Sequence, residues 1–218
     1  MMSMRLFALA IDEVRGIFGA PEDVATALRA IAASRFAPKV RPAPGLLGKL
    51  GPVLLRAPDA PVVQPGAPIG TDVDAVLSGA FVRPDRLAPS WLLVETWIEA
   101  MSWGQHRDDL AETELNAIDF DLAKVGVPPS LGLRALVAHS WGVTLTHAPG
   151  LVAGYVTSAH VDSMRSAWET AADDLDEAHR ERVREYLAWF DKYPQWREAA
   201  SAGHRPEPDL VAILRTTA

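Results

Sequence analysis

The sequence predicts an α+β fold, a small mixed sheet that includes both terminal strands and packs against a central Trp-rich helix and C-terminal helices. Three observations lead there. Apolar runs short enough for buried strands stand at both ends, Met4 to Ala10 and Leu210 to Leu214. Between them, the segment Pro89 to Gly104 carries Trp91, Trp97 and Trp103 at intervals of six. At about 100° per residue such rings point roughly 240° apart, so the helix should be enclosed on every side. Finally, apolar residues recur at helical spacing from Thr157 onward.

Taken in order, Met4 to Ala10 reads as a buried strand, and Asp12 is placed to cap a short helix that ends near Gly19. Pro21 opens a second helix in which Val24, Leu28 and Ile31 form one apolar stripe through about Ala33. From Pro38 to Gly70 prolines and glycines interrupt every pattern, which predicts a Pro-rich loop or insertion at about 37–70 inside a single domain spanning 1–218. Arg35 just ahead of it and Lys39, Arg41, Lys49 and Arg56 within it make it basic, and it is expected to be a solvated excursion open to proteolysis. Thr71 or Asp72 should cap a helix through Leu77 that Gly79 stops.

Ser90 is the expected cap of the Trp helix and Gly104 its stop. The acidic stretch His106-Arg107-Asp108-Asp109 then reads as a link to a helix from Glu112 to Lys124, with Leu115, Ile118 and Leu122 facing inward. Gly126 and Pro128-Pro129 end that helix. Leu133 to His139 and Val143 to His147 read as the arms of a β-hairpin turning at Ser140-Trp141-Gly142. Thr157 or Ser158 caps a helix with Val161, Met164, Trp168 and Ala171 on one face. A further helix, Glu177 to Ala200, has Val183, Leu187 and Phe190 inward and a break expected at Pro194. Leu210 to Leu214 is apolar on both faces, as an interior strand should be.

Composition bounds the function. The chain has no Cys, which removes disulfides, thiolate nucleophiles and cysteine metal sites and makes cytoplasmic residence the expectation. The N-terminus meets Asp12-Glu13 too soon for a signal peptide. No stretch approaches the ~20 apolar residues that span a bilayer. The net charge of −7 is uneven, because residues 1–70 carry eight Lys/Arg and five Asp/Glu, and the remainder thirteen and twenty-three. An acidic body argues against nucleic-acid binding and favours a basic protein partner.

One stretch resembles chemistry. Ala138-His139-Ser140-Trp141-Gly142 follows an apolar run and is similar to the Gly-x-Ser-x-Gly elbow of serine hydrolases, with Ala138 in place of the first glycine. The elbow requires a long helix behind it, whereas Val143 to Gly150 alternates and is broken by Pro149. Acid partners between Asp162 and Asp191, with His160, His179 or His204, would have to complete the triad. The expectation is therefore no catalytic residue, with Ser140, His139 and His147 as the alternative reading of a small-molecule enzyme. Aromatic candidates for binding are Trp97, Trp103 and Trp141. Glu95 with Glu99 and Asp176 with His179 share helix faces, as would Asp108 with Glu112 if that helix began early, but none completes a ligand pattern, so neither metal nor cofactor is expected.

The order of elements resembles the YfbM-like family of bacterial proteins of unknown activity, with closest likeness to actinobacterial members. The segments that carry it are Leu6 to Gly19, Asp72 to Gly79, and Gly154-Tyr155-Val156-Thr157-Ser158, similar to a Gly-Tyr-Leu-Thr-Pro helix entry. The resemblance implies an α+β domain and supplies no catalytic residues. Together these readings predict a binding protein, of the immunity or regulatory type, that acts on a protein partner. A small-molecule ligand is the alternative.

Overall fold

A computed structural model describes residues 2–37 and 65–216. Most of the Pro-rich segment, with the basic residues from Lys39 to Arg56 and the expected cleavage sites there, lies outside the described residues. The sheet has four strands, β1 (Met2–Ala8), β2 (Gly104–Leu110), β3 (Leu151–Val156) and β4 (Leu210–Thr216), in the order β2-β1-β4-β3. Both terminal strands pair at its centre, from Met2 opposite Thr216 to Ala8 opposite Leu210. Every pairing is antiparallel, where a mixed sheet was expected.

Strand β4 is apolar on both sides from Leu210 to Leu214, and β1 is apolar except at Ser3 and Arg5, because both sides are covered. Met2, Met4, Leu6, Leu210, Ala212 and Leu214 face one core. That core is closed by α5 (Glu112–Lys124), α6 (Ser158–Ala171), α7 (Glu177–Phe190) and α8 (Tyr193–Ala202). Phe7, Val211 and Ile213 face the other, under α1 (Ile11–Arg15), α2 (Glu22–Arg35), α3 (Gly70–Leu77) and α4 (Leu87–Met101). The result is three layers with the sheet in the middle.

Helix α4 is the Trp helix. It begins one turn before Ser90, behind a 3₁₀ turn at Pro84–Arg86, so Ser90 is buried within it and Trp103 lies beyond its end. Trp91 and Trp97 are fully enclosed. In α2 the inward stripe is Ala25, Leu28 and Ala32, and Val24 is exposed. Small side chains let α2 approach α4, whose Trp97 indole N–H donates to the Leu28 carbonyl at 2.8 Å. Helix α5 matches its expected bounds, and α6 buries Val161, Met164, Trp168 and Ala171 as its spacing predicts. The long C-terminal helix is broken just before Pro194, which sits in the first turn of α8 where a missing N–H costs least.

Three local expectations are corrected. His106-Arg107-Asp108-Asp109 is not a link but strand β2, paired along its whole length with β1. It is an edge strand, and the exposure of Gln105, Arg107 and Asp109 on its open face explains why it reads as polar. The hairpin at Leu133 to His147 is absent. Leu133–Val137 is a 3₁₀ turn, and His139 joins the sheet through a single bridge to Tyr155. The turn lies directly on β3 because Gly154 has no side chain, and a Cβ there would stand 2.4 Å from Val137 Cα. Helix α1 starts before Asp12 and its first N–H, that of Ile11, is taken by Asp209 Oδ2 at 2.9 Å. The other oxygen of Asp209 accepts from Ser158 N at 3.1 Å, so one carboxylate caps both α1 and α6. No helix among the described residues is long and apolar enough to cross a membrane.

Candidate functional site

The elbow residues do not converge on a catalytic geometry. Ser140 is exposed on irregular chain, and its Oγ accepts from Gly142 N at 3.3 Å. His139 is held by its backbone, accepting from Tyr155 N at 3.0 Å, and the His147 ring lies 5.6 Å from Trp91. Neither imidazole is hydrogen-bonded to Ser140 among the described residues. The three aromatic candidates also stand apart. Trp97 and Trp141 are core residues whose indole N–H groups donate to Leu28 and Gly154 carbonyls. Trp103 packs against the other core, and the Arg205 guanidinium lies 4.5 Å above its ring.

An open cleft of about 640 Å³ lies on the face of the molecule opposite the Trp helix, between the turn that ends α5 and the outer side of α6. Its origin is local. Gly126, at φ +95°, reverses the chain after α5 and turns Val127 inward. Because Val161, Met164, Trp168 and Ala171 turn inward, α6 presents Ser163, Ser166 and Thr170 outward, and these are too small to fill the space beside it. The loop behind is pinned by the Trp168 indole N–H donating to Leu131 O at 2.7 Å and by His160 Nε2, 2.9 Å from Ser130 O. Val125, Val127, Ala167 and Ala171 give the cleft apolar lining, with Asp162 and Asp174 also on its wall. Asp162 is paired with Arg197 at 2.8 Å, whereas Asp174 makes no ion pair among the described residues.

Sequence-adjacent to this wall is a charged cluster that joins the last turn of α5 to the first turn of α7. Asp121 is buried on the inward side of α5, next to Leu122. Its Oδ2 accepts from Asp176 N at 2.8 Å and lies 3.2 Å from His179 Nδ1. Lys124 Nζ stands 3.8 Å from both Asp121 Oδ1 and Asp176 Oδ1. Burial pushes the Asp121 carboxyl upward, but the Asp176 amide, His179 and Lys124 together hold it below the usual carboxylate range. The sequence shows Asp176 and His179 as a helix-face pair. The third member is hidden, because only the pairing of α5 with α7 brings Asp121 to them, and its one signal is a carboxylate on an otherwise apolar stripe.

Other buried charges hold layers together. Glu95 of α4 is paired with Arg5 of β1 at 3.2 Å and Arg215 of β4 at 2.8 Å, which locks the Trp helix to the sheet. On the opposite face Tyr186 donates to Asp108 Oδ2 at 2.7 Å, and the His106 ring packs at a tilt 4.9 Å from that of Tyr186. Burial and the Asp108 charge drive the Tyr186 hydroxyl far above its usual range, so it stays a hydrogen-bond donor. Compared with protein-family models, with curated proteins and with solved structures, the chain matches none.

Proposed function

We propose that the protein works by binding, and that its α5–α6 cleft takes a short segment of a protein partner carrying apolar and basic side chains. The observation behind this is the cleft itself, with apolar lining, hydroxyls along one helix and on its wall the Asp174 carboxylate, which makes no ion pair among the described residues. Its volume of about 640 Å³ falls in the range of roughly 300 to 1,000 Å³ usual for ligand sites. The surrounding chain is acidic, and opposite charge guides encounter and register with a basic partner. An immunity-type or regulatory role, residence in a reducing cytoplasm and the likeness to YfbM-like proteins belong to the same proposal. None of them supplies a catalytic residue.

The test is co-purification from the native host with the wild-type chain and with Ser166→Trp, which fills the cleft from an exposed position. A partner recovered by the wild type and lost by the variant is expected. Equal recovery by both removes the cleft from the reading, and recovery of the chain alone across several growth conditions removes the binding role.

A further inference from the structure

Asp121, Asp176 and His179 each offer one ligand-type atom, and these atoms lie within 4.8 Å of one another. Two features set the group apart from an ordinary surface cluster. The Asp121 side chain is 3% exposed, and its Oδ1 has no hydrogen-bond partner among the described residues. A buried carboxylate oxygen without a hydrogen bond is costly and depends on a nearby cation. The cation nearest to it, Lys124 Nζ at 3.8 Å, is beyond hydrogen-bond reach and equally far from Asp176 Oδ1. The position between the two carboxylates is thus a cation position that the ammonium fills loosely. The second feature is geometric: His179 Nδ1 approaches the same carboxylate, 3.2 Å from its other oxygen, Oδ2. Metal–ligand bonds of about 2.0 to 2.1 Å put the edge of a coordination tetrahedron at roughly 3.3 to 3.4 Å.

We propose that Asp121, Asp176 and His179 form a divalent-cation site of the zinc class, with Lys124 as the resident counter-ion that the metal displaces. One imidazole and two carboxylates are a donor set suited to zinc, and their two negative charges neutralise the ion. Lys124 can leave, since its side chain is 59% exposed and ends a flexible stem. The helix ends neither favour nor oppose the ion overall. The N-terminus of α7 repels a cation and the C-terminus of α5 attracts one. Asp176 is exposed and His179 half-buried, so the remaining coordination positions open to water or to a group brought by a ligand.

The test is titration of chelator-treated full-length protein with Zn²⁺ by calorimetry, and with Co²⁺ by visible absorption, which reports the coordination geometry. The wild type is expected to bind one ion. Lys124→Met should bind about fivefold more tightly, the equivalent of roughly 1 kcal/mol for the exposed Lys124 ion pairs that the metal no longer has to break. His179→Gln, a change at a partly exposed position with folding checked by circular dichroism, should lose the site. Absence of saturable binding by both wild type and Lys124→Met overturns the proposal. So does undiminished binding by His179→Gln, which places the ion elsewhere, or equal affinity of wild type and Lys124→Met.

Discussion

Replacing Gly154 by alanine should cost far more than one methyl group suggests. The new Cβ would meet three backbone atoms of Val137, Cα at 2.4 Å, C at 2.5 Å and O at 2.6 Å. Carbon atoms in contact normally rest about 3.5 to 4.0 Å apart, so the 3₁₀ turn must lift off β3 by an ångström or more. That displacement pulls on two neighbouring bonds, Trp141 Nε1 to Gly154 O at 2.7 Å and Tyr155 N to His139 O at 3.0 Å. Overpacking costs roughly 1 to 3 kcal/mol, and the upper end applies because backbone cannot rotate away. One weakened hydrogen bond adds about 1 kcal/mol, while the stiffer unfolded chain returns about 0.4 to 1 kcal/mol. The net is about 3 kcal/mol, or a melting temperature lower by roughly 6 to 12 °C for a chain of this size. Urea unfolding followed by Trp fluorescence measures it, with Val152→Ala, at an exposed position of the same strand, as the near-neutral control. A Gly154→Ala midpoint within error of the wild type would refute the account of how the turn is seated.

Glu95→Ala should destabilise by about 3 kcal/mol, because it leaves Arg5 and Arg215 facing a buried gap. Glu99→Ala, at a more exposed pair with Arg5, should cost under about 1 kcal/mol in the same denaturation assay. The His106 ring has its pKa lowered from 6.5, chiefly by burial. Below pH 6.5 the unfolded chain therefore binds a proton that the folded chain refuses, and stability falls as pH drops through that window. Melting curves should show this loss in the wild type and a shallower one in His106→Phe, and parallel pH profiles would count against it. A fluorophosphonate probe should leave the folded protein unlabelled, since no imidazole activates Ser140; labelling abolished by Ser140→Ala would restore the hydrolase reading.

What could be read from the residues follows what covers them. Strands β1 and β4 are legible because layers on both sides demand apolar residues at most of their positions, Ser3, Arg5, Arg215 and Thr216 excepted. Helices α5 and α6 are legible because one side of each stays wet. Edge strand β2 hides because its open face is polar, and only the alternation of exposure along Gly104 to Leu110 betrays it. In β3 the decisive residue is Gly154, whose role depends on a turn that approaches from outside the strand. Asp12 was the local cap available to α1, but the group that does the capping, Asp209, lies at the far end of the sequence. The same holds for the site. Asp176 and His179 are neighbours on one helix, whereas Asp121 reaches them only through packing of α5 against α7, and small residues along α6 become a cleft only once the turn at Gly126 faces them.

The pairing of β1 with β4 sets the timetable of folding. Its partners, Met2 with Thr216 through Ala8 with Leu210, come from opposite ends of the described chain. During synthesis β1 and β2 can form only a two-stranded ribbon, and such ribbons are marginal in water. Both helical layers must then wait, their apolar faces unpaired, for the strand on which they close. Contacts so remote in sequence make for folding in milliseconds to seconds rather than microseconds. Throughout that interval the exposed apolar surface is what chaperones retain and what aggregation consumes, so yield from a cell should respond to chaperone supply more sharply than the stability of the finished molecule would suggest.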